Sequence, residues 1–289
     1  MQGCAVSEMA VLIDGKKMAG GILEEVKKEV AKLKGRPCLA VILVGEDPAS
    51  KIYVTRKSEA CREAGIEARD YRLPAETSEK ELLELVDRLN KDKGVNGILV
   101  QMPMPKHINE NLVTGVVSSG KDVDGLAPEN IRKLGEGGAE GFAPATPLGV
   151  MEMLRRLKVR VKGKRAVVIG RSALVGRPVA AMLRNAGAEV MVCHSKTPDV
   201  GAETMKADIL VVAVGKPKLV TGDMVKKGVV VIDVGTNRLP DGKLVGDVDF
   251  DSVRKKASMI TPVPGGVGPM TIALLLKNVV KAYRMQGGK

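Results

Sequence analysis

Short apolar runs of strand length alternate with helix-length amphipathic stretches, and they do so in two separate parts of this chain. Leu39–Val44 is a branched apolar run bounded by turn residues, the pattern of a buried strand. Gly45–Ser50 forms a turn that caps a helix predicted from about Ser50 to Ala64. Ile66–Leu73 reads as a second strand and Asn96–Gln101 as a third. Between them Ser78–Lys91 is a helix opened by the capping pair Ser78 and Glu81. Farther on come a strand over Arg165–Ile169, a glycine turn over 170–178, and a helix ending near Asn185. Strands at Glu189–Cys193, Ala207–Val214 and Val229–Val234 follow. Parallel strands need long crossovers and antiparallel ones do not, so this alternation predicts parallel sheets with helices on both faces.

A loop-rich bridge separates the two stretches, punctuated by Gly and Pro at 102–105, 121–125 and 134–147. Thr146-Pro147 fits an N-cap followed by proline at the first helical position, with a helix running to about Leu157. Ile260 leads into Thr261–Pro269, too rich in Pro and Gly for a regular helix. Met270–Tyr283 is a final amphipathic helix able to return to the first domain. The expected domains are therefore residues 1–146 with 270–289, and residues 147–269.

Composition excludes several functions. Lys and Arg number 46 against 34 Asp and Glu, a net charge of +12, yet aromatic residues make up only 2%. Proteins that stack nucleic-acid bases need more aromatic surface, so nucleic acid is not expected as a partner. The charge suits an anionic small molecule, or is simply a solvated basic surface. Two histidines, His107 and His194, exclude a His-rich metal site, and no metal is expected. The four cysteines lack a C-x-x-C pair and do not resemble a disulfide framework, which fits a reducing, cytoplasmic compartment. No apolar run approaches the ~18 residues of a membrane span, and the N-terminus does not read as a secretory signal.

A strand, a glycine turn and a helix make a phosphate site, because the unpaired N–H groups at a helix start and its dipole favour an anion. Gly170 permits the tight turn and Gly176 a close helix–sheet approach, although the spacing is G-x-x-x-x-x-G and weak on its own. An NAD site places a carboxylate at the end of the next strand. Here that strand ends Cys193-His-Ser-Lys-Thr197, and Arg171 adds a guanidinium in the turn. Donors and cations suit a 2′-phosphate, so the prediction is NADP; solvated surface cations are the blander alternative.

In the first stretch Ser50, Tyr53 and Lys57 are spaced by three and four, which places them on one helix face. Tyr53 and Lys57 read as a proton-handling pair in reach of each other, though lysines on exposed helix faces are common. Gln101 closes a parallel strand, where open α/β sheets place ligands, and Pro103 and Pro105 stiffen the exit. Asp122 and Asp124 flank Val123 in a tight turn. One is expected to cap the turn and the other to face a ligand; two turn-forming aspartates read equally well. A carboxylate is the natural partner of an amino-pyrimidine ring.

Six motifs occur in order: Tyr53-Val-Thr-Arg-Lys57, Val100-Gln-Met-Pro-Met-Pro105, Lys121-Asp-Val-Asp-Gly125, the 170–178 turn, Val192-Cys-His-Ser-Lys-Thr197, and the run from Thr261 to Thr271. On these the chain resembles the bifunctional methylenetetrahydrofolate dehydrogenase/methenyltetrahydrofolate cyclohydrolase family from about residue 11 to 285. The resemblance implies an α/β protein of two domains. One is an N-terminal three-layer α/β folate and catalytic domain; the other is a Rossmann-like NADP-binding domain with a parallel sheet, the cleft between them being the reaction site. It implies NADP-dependent oxidation of 5,10-methylene-tetrahydrofolate and hydrolysis of the methenyl product to 10-formyl-tetrahydrofolate, a precursor for purine biosynthesis. Lys57 is then the central catalytic residue, Tyr53 positions the folate, Gln101 partners Lys57 and Asp124 holds the pterin. Gly170, Arg171 and Ser172 contact the cofactor, with Ser195 near the 2′-phosphate and Thr236 at a further contact; Pro264 and Gly265 match a folate-side loop. The partners implied are one-carbon derivatives of tetrahydrofolate, with no membrane, and a second copy in a homodimer.

Departures are few. Met102 and Met104 stand where leucines are usual, Ala145 where Cys is frequent, and Thr236 where an aliphatic residue is common. Residues 1–8 have no counterpart and read as a disordered extension. Three other readings carry weight: a monofunctional dehydrogenase of the same family, a related dehydrogenase acting on an amino or hydroxy acid, and a non-catalytic NADP- or nucleic-acid-binding protein.

Overall fold

The computed structural model describes residues 10–138 and 140–288; Cys4 and the expected extension over residues 1–8 lie outside the described residues. Val11–Leu12 (β1) and helix Gly15–Val30 (α1) come first, followed by Cys38–Val44 (β2), Pro48–Glu63 (α2), Glu67–Leu73 (β3), Glu79–Lys91 (α3) and Gly97–Val100 (β4). Two short helices, Glu110–Gly115 (α4) and Pro128–Gly135 (α5), interrupt the expected loop bridge before Ala145–Arg156 (α6). Next come Arg165–Ile169 (β5), Gly176–Asn185 (α7), Glu189–Cys193 (β6), Val200–Thr204 (α8), Ile209–Val212 (β7) and Val230–Asp233 (β8). A hairpin of Asn237–Arg238 (β9) and Leu244–Val245 (β10), then Phe250–Arg254 (α9), Met259–Ile260 (β11) and Val267–Met285 (α10) complete the chain.

The described residues form two compact units, 19–145 with 271–288 and 10–18 with 146–270. In the first, β2 lies between β3 and β4 in an all-parallel sheet. All seven β2 residues are buried, as expected of a parallel strand covered on both faces. Cys38, Ala40, Ile42 and Val44 pack with Leu82, Leu85, Val86 and Leu89 of α3, each buried leucine contributing ~1.5–3 kcal/mol. The capping box is formed: Glu81 N donates to Ser78 Oγ at 3.2 Å and Ser78 N to Glu81 Oε2 at 2.8 Å. Helix α2 starts two residues before Ser50, because Asp47 is its cap, accepting from Ser50 N at 2.7 Å with Pro48 at the first position. The last helix seals this unit. Asn278 Nδ2 donates to Val123 O (2.8 Å) and Ala143 O (3.1 Å), and Gln286 Nε2 to Asn96 O (2.8 Å).

The second unit holds a six-stranded sheet in the order β1-β11-β8-β7-β5-β6, parallel throughout. Its first strand departs from the expected grouping of residues 1–146, since Val11 and Leu12 pair with Met259 and Ile260 of this sheet. Two residues carry no periodicity, so the sequence held no signal for that pairing. Helix α6 begins at Ala145, which places Thr146 inside the helix and not as its flanking cap. Helix α10 begins at Val267, three residues early. Pro269 falls in its first turn, where the missing N–H has no intrahelical acceptor to lose. Among the described residues no helix is long and apolar enough to cross a membrane, and no three His, Cys, Asp or Glu side chains gather as metal ligands.

Candidate functional site

In the first unit α2 buries Lys57, 8% exposed. Its Nζ donates to Gln101 Oε1 at 2.9 Å. Gln101 leaves β4 with its backbone N–H still on Ile42 O, and its Nε2 donates to Met102 O at 2.7 Å. That second bond turns the amide so that its oxygen faces the lysine. Burial pushes the Lys57 amine below the ordinary lysine range, while the Asp124 carboxylate pulls it back up. Burial raises Asp124 above the usual carboxyl range, against the opposing pull of Lys57. The two aspartates separate cleanly. Asp122 Oδ2 accepts from Ala127 N (2.7 Å) and Asn130 Nδ2 (2.8 Å) and so holds the turn. Asp124 is half-buried and accepts no hydrogen bond from any described residue. Lys121 is structural, donating to Leu89 O and Asp92 O at the end of α3.

Tyr53 corrects one expectation. It is 43% exposed and makes no hydrogen bond with Lys57, whereas Ser50, on the same helix, is 2% exposed with Oγ donating to Met102 O at 3.4 Å. Lysine is therefore paired with an amide that follows β4, not with a phenol from its own helix.

In the six-stranded sheet of the second unit every strand runs the same way, so the loops after β5, β6, β8 and β11 share its carboxyl edge. Those loops carry Gly170, Arg171 and Ser172, then Ser195, then Thr236, then Pro264 and Gly265. The chain passes from β5 out to β6 and returns to β7 on the opposite side of β5, which makes Gly170 a switch point. Gly170 has φ +117°, and a Cβ there would lie 2.2 Å from Ala213 O; a Cβ on Gly176 would lie 2.2 Å from Gly170 O. Ser172 Oγ accepts from Val175 N (3.2 Å) and Gly176 N (3.3 Å), opening α7. Arg171, Ser195, Lys196, Thr236 and Pro264 are exposed, and Gly265 has φ +102°. The turn after β6 is tied by His194 N on Thr197 Oγ1 (2.9 Å) and Lys196 N on His194 Nδ1 (3.1 Å). A Cβ-free turn at a switch point, two exposed cations and no carboxylate at the end of β6 are a donor set that fits a phosphorylated dinucleotide.

Two residues here carried no sequence signal. Asp233, at the end of β8, and Asp247, after β10, are both buried and each accepts several N–H groups from neighbouring loops. Burial pushes Asp233 up to about 6, while the N–H donors of Val248, Asp247 and Gly235 pull it down. Their partners lie on loops as much as 33 residues away, so no local motif marks them.

Comparison with known proteins divides the chain near the same point, residue 144, but as two continuous segments. Residues 13–124 match the family model described as tetrahydrofolate dehydrogenase/cyclohydrolase, catalytic domain, and residues 144–287 match the NAD(P)-binding domain of that family. Bifunctional protein FolD of Moorella thermoacetica is 56% identical over 278 residues, covering 95% of this chain and 99% of that protein. The crystal structure of a bifunctional FolD methylenetetrahydrofolate dehydrogenase/cyclohydrolase from Campylobacter jejuni matches with a TM-score of 0.94 at 52% identity, over 96% of this chain and 99% of that one. The FolD structure from Trypanosoma brucei, complexed with NADP cofactor and inhibitor, matches with a TM-score of 0.91 at 40% identity, over 96% and 98%. Sequence and fold agree along nearly the whole length, and the chain belongs to the tetrahydrofolate dehydrogenase/cyclohydrolase family.

Proposed function

We infer that this chain is a bifunctional enzyme of one-carbon folate metabolism. It oxidises 5,10-methylene-tetrahydrofolate to the 5,10-methenyl form with NADP and hydrolyses that cation to 10-formyl-tetrahydrofolate. The observation that carries the reading is the buried Lys57 amine bonded to a neutral amide, Gln101 Oε1, at 2.9 Å. A carboxylate in that place would hold the lysine protonated. An amide oxygen accepts from ammonium and amine alike, so Lys57 can exchange a proton without losing its anchor. In the hydrolysis, water bonds to the methenyl carbon and Lys57 takes one of its protons; that proton passes to N5 as the C–N5 bond breaks, and the remaining hydroxyl proton is released to solvent as the formyl C=O forms.

Asp124 offers the pterin a carboxylate that no protein donor has claimed, Tyr53 presents an exposed ring for positioning, and Pro264 and Gly265 supply a folate-side loop. Gly170, Arg171, Ser172, Ser195 and Thr236 hold the dinucleotide. Hydride acceptance is the chemistry supplied by bound NADP. A cytoplasmic homodimer feeding purine biosynthesis belongs to the same reading; for the compartment it is supported by three buried free cysteines, Cys38, Cys61 and Cys193.

The test is spectroscopic: methenyl absorbance grows when methylene-tetrahydrofolate and NADP are supplied, then decays as hydrolysis proceeds. The KM for NADP is lower than that for NAD; equal or better use of NAD would defeat the 2′-phosphate assignment. Asp124→Asn weakens folate binding roughly 10- to 150-fold, the loss of a charge-assisted bond of about 1.5–3 kcal/mol. Because Asp124 holds the Lys57 amine up, the same substitution moves the rising limb of the hydrolysis pH profile to lower pH. Parent-like folate affinity in Asp124→Asn would remove the pterin contact.

A further inference from the structure

We propose that Asp247 is a positioning residue for the dinucleotide: it sets the loops after β7 and β8 without touching the ligand. The proposal rests on reading the carboxyl edge of the six-stranded sheet as the cofactor edge.

Asp247 is completely buried, at 0% exposed. Oδ2 accepts from Val214 N (2.7 Å) and Gly215 N (3.0 Å), and Oδ1 from Lys216 N (2.8 Å) and Asn237 Nδ2 (2.9 Å). One carboxylate thus fastens the turn after β7 to the residue next to Thr236. Asp233 fastens Asp247 in turn. Its Oδ1 accepts from Asp247 N (3.1 Å) and Gly235 N (2.9 Å), and its Oδ2 from Val248 N (2.9 Å). The Asp233 backbone N–H donates to Thr261 Oγ1 at 2.7 Å, at the start of the loop that reaches Pro264. Glycine clears the space: a Cβ on Gly235 would lie 2.2 Å from Asp247 Cγ, and one on Gly246 would lie 1.9 Å from Asp233 Oδ2.

Two consequences reach the cofactor edge. Ala213 O lies 2.2 Å from where a Gly170 Cβ would be, so the turn that Asp247 holds abuts the glycine turn directly. Three successive N–H groups facing one point also form an anion cradle. Here the protein's own carboxylate fills that cradle, which leaves the cofactor's phosphates to the Gly170 turn and Arg171.

The family's two reactions provide an internal control, because hydrolysis of the methenyl substrate consumes no NADP. Asp247→Asn keeps the shape but exchanges one oxygen for an NH2. All four partners are donors, so whichever way the amide turns, its NH2 meets donors. The expected result is a KM for NADP raised ~10-fold or more in the dehydrogenase reaction, with methenyl hydrolysis in the same preparation within about twofold of the parent, as independent sites allow. Asn237→Ala removes only one of the four donors and gives the same split with a smaller rise in KM. Unchanged KM for NADP, a fall in kcat alone, or parallel loss of both activities in both variants overturns the proposal. A parent without NADP-dependent methenyl formation overturns the functional reading beneath it, a result visible before either variant is made.

Discussion

Lys57→Met abolishes hydrolysis of the methenyl substrate, a loss of roughly 10²–10⁴-fold, while NADP affinity stays at the parent value. Methionine has nearly the length of lysine and no amine. In the buried position of Lys57 it fills the space and removes a group whose desolvation is unfavourable. The one protein bond lost is that to Gln101 Oε1, and Gln101 keeps its anchor on Met102 O. The fold therefore survives, and what disappears is the proton carrier. Decay of methenyl absorbance measures the first quantity and titration calorimetry with NADP the second. Near-parent hydrolysis would take Lys57 out of the mechanism.

Gly170→Ala lowers NADP affinity roughly 100-fold or more, from backbone strain of about 1–3 kcal/mol together with the shift needed to relieve overlap. Its φ of +117° is a conformation that L side chains rarely adopt, and the new methyl would meet Ala213 O, a backbone atom, at 2.2 Å. The turn must open to admit it, and the N–H groups at the start of α7 move with the turn. Methenyl hydrolysis in the same preparation persists. Calorimetry against the parent checks the affinity, and parent-like NADP binding would show that the turn plays no part in holding the dinucleotide.

The strands bounded by turn residues were the most legible part of the chain. β5 and β6 begin and end at the residues the pattern predicts, and β2 differs by one, because each is an apolar run closed by turn residues. Helix α1 carries only a weakened sequence signal. Its buried residues Ala19, Ile22, Val26 and Val30 follow helical spacing, but Gly20 and Gly21 interrupt the pattern, each disfavoured by ~1 kcal/mol in a helix interior. Tertiary burial outweighs that local preference. At the site, Lys57 and Gln101 were each identifiable from their own surroundings. Their pairing was implied by the family resemblance alone, since Lys57 and Gln101 are 44 residues apart along the chain and meet only because β4 lies beside β2. Spacing alone left Asp122 and Asp124 equivalent; the resemblance implied that Asp124 faces the ligand, and the bonds from Asn130 and Ala127 make Asp122 the residue that holds the turn. Asp233 and Asp247 lay wholly beyond local reading, because their function is to collect donors from distant loops.

The helix that seals the first unit belongs to the far end of the chain. During synthesis the β2-centred sheet, already supplied with its own three strands, waits with Val123 O, Ala143 O and Asn96 O unclaimed until residues beyond 270 have been made. β1, among the earliest segments to emerge, waits as long for β11. The first unit therefore cannot finish folding until the chain that forms the second has been made, and a premature stop before α10 leaves the first unit unsealed although β1 and β11 are both present.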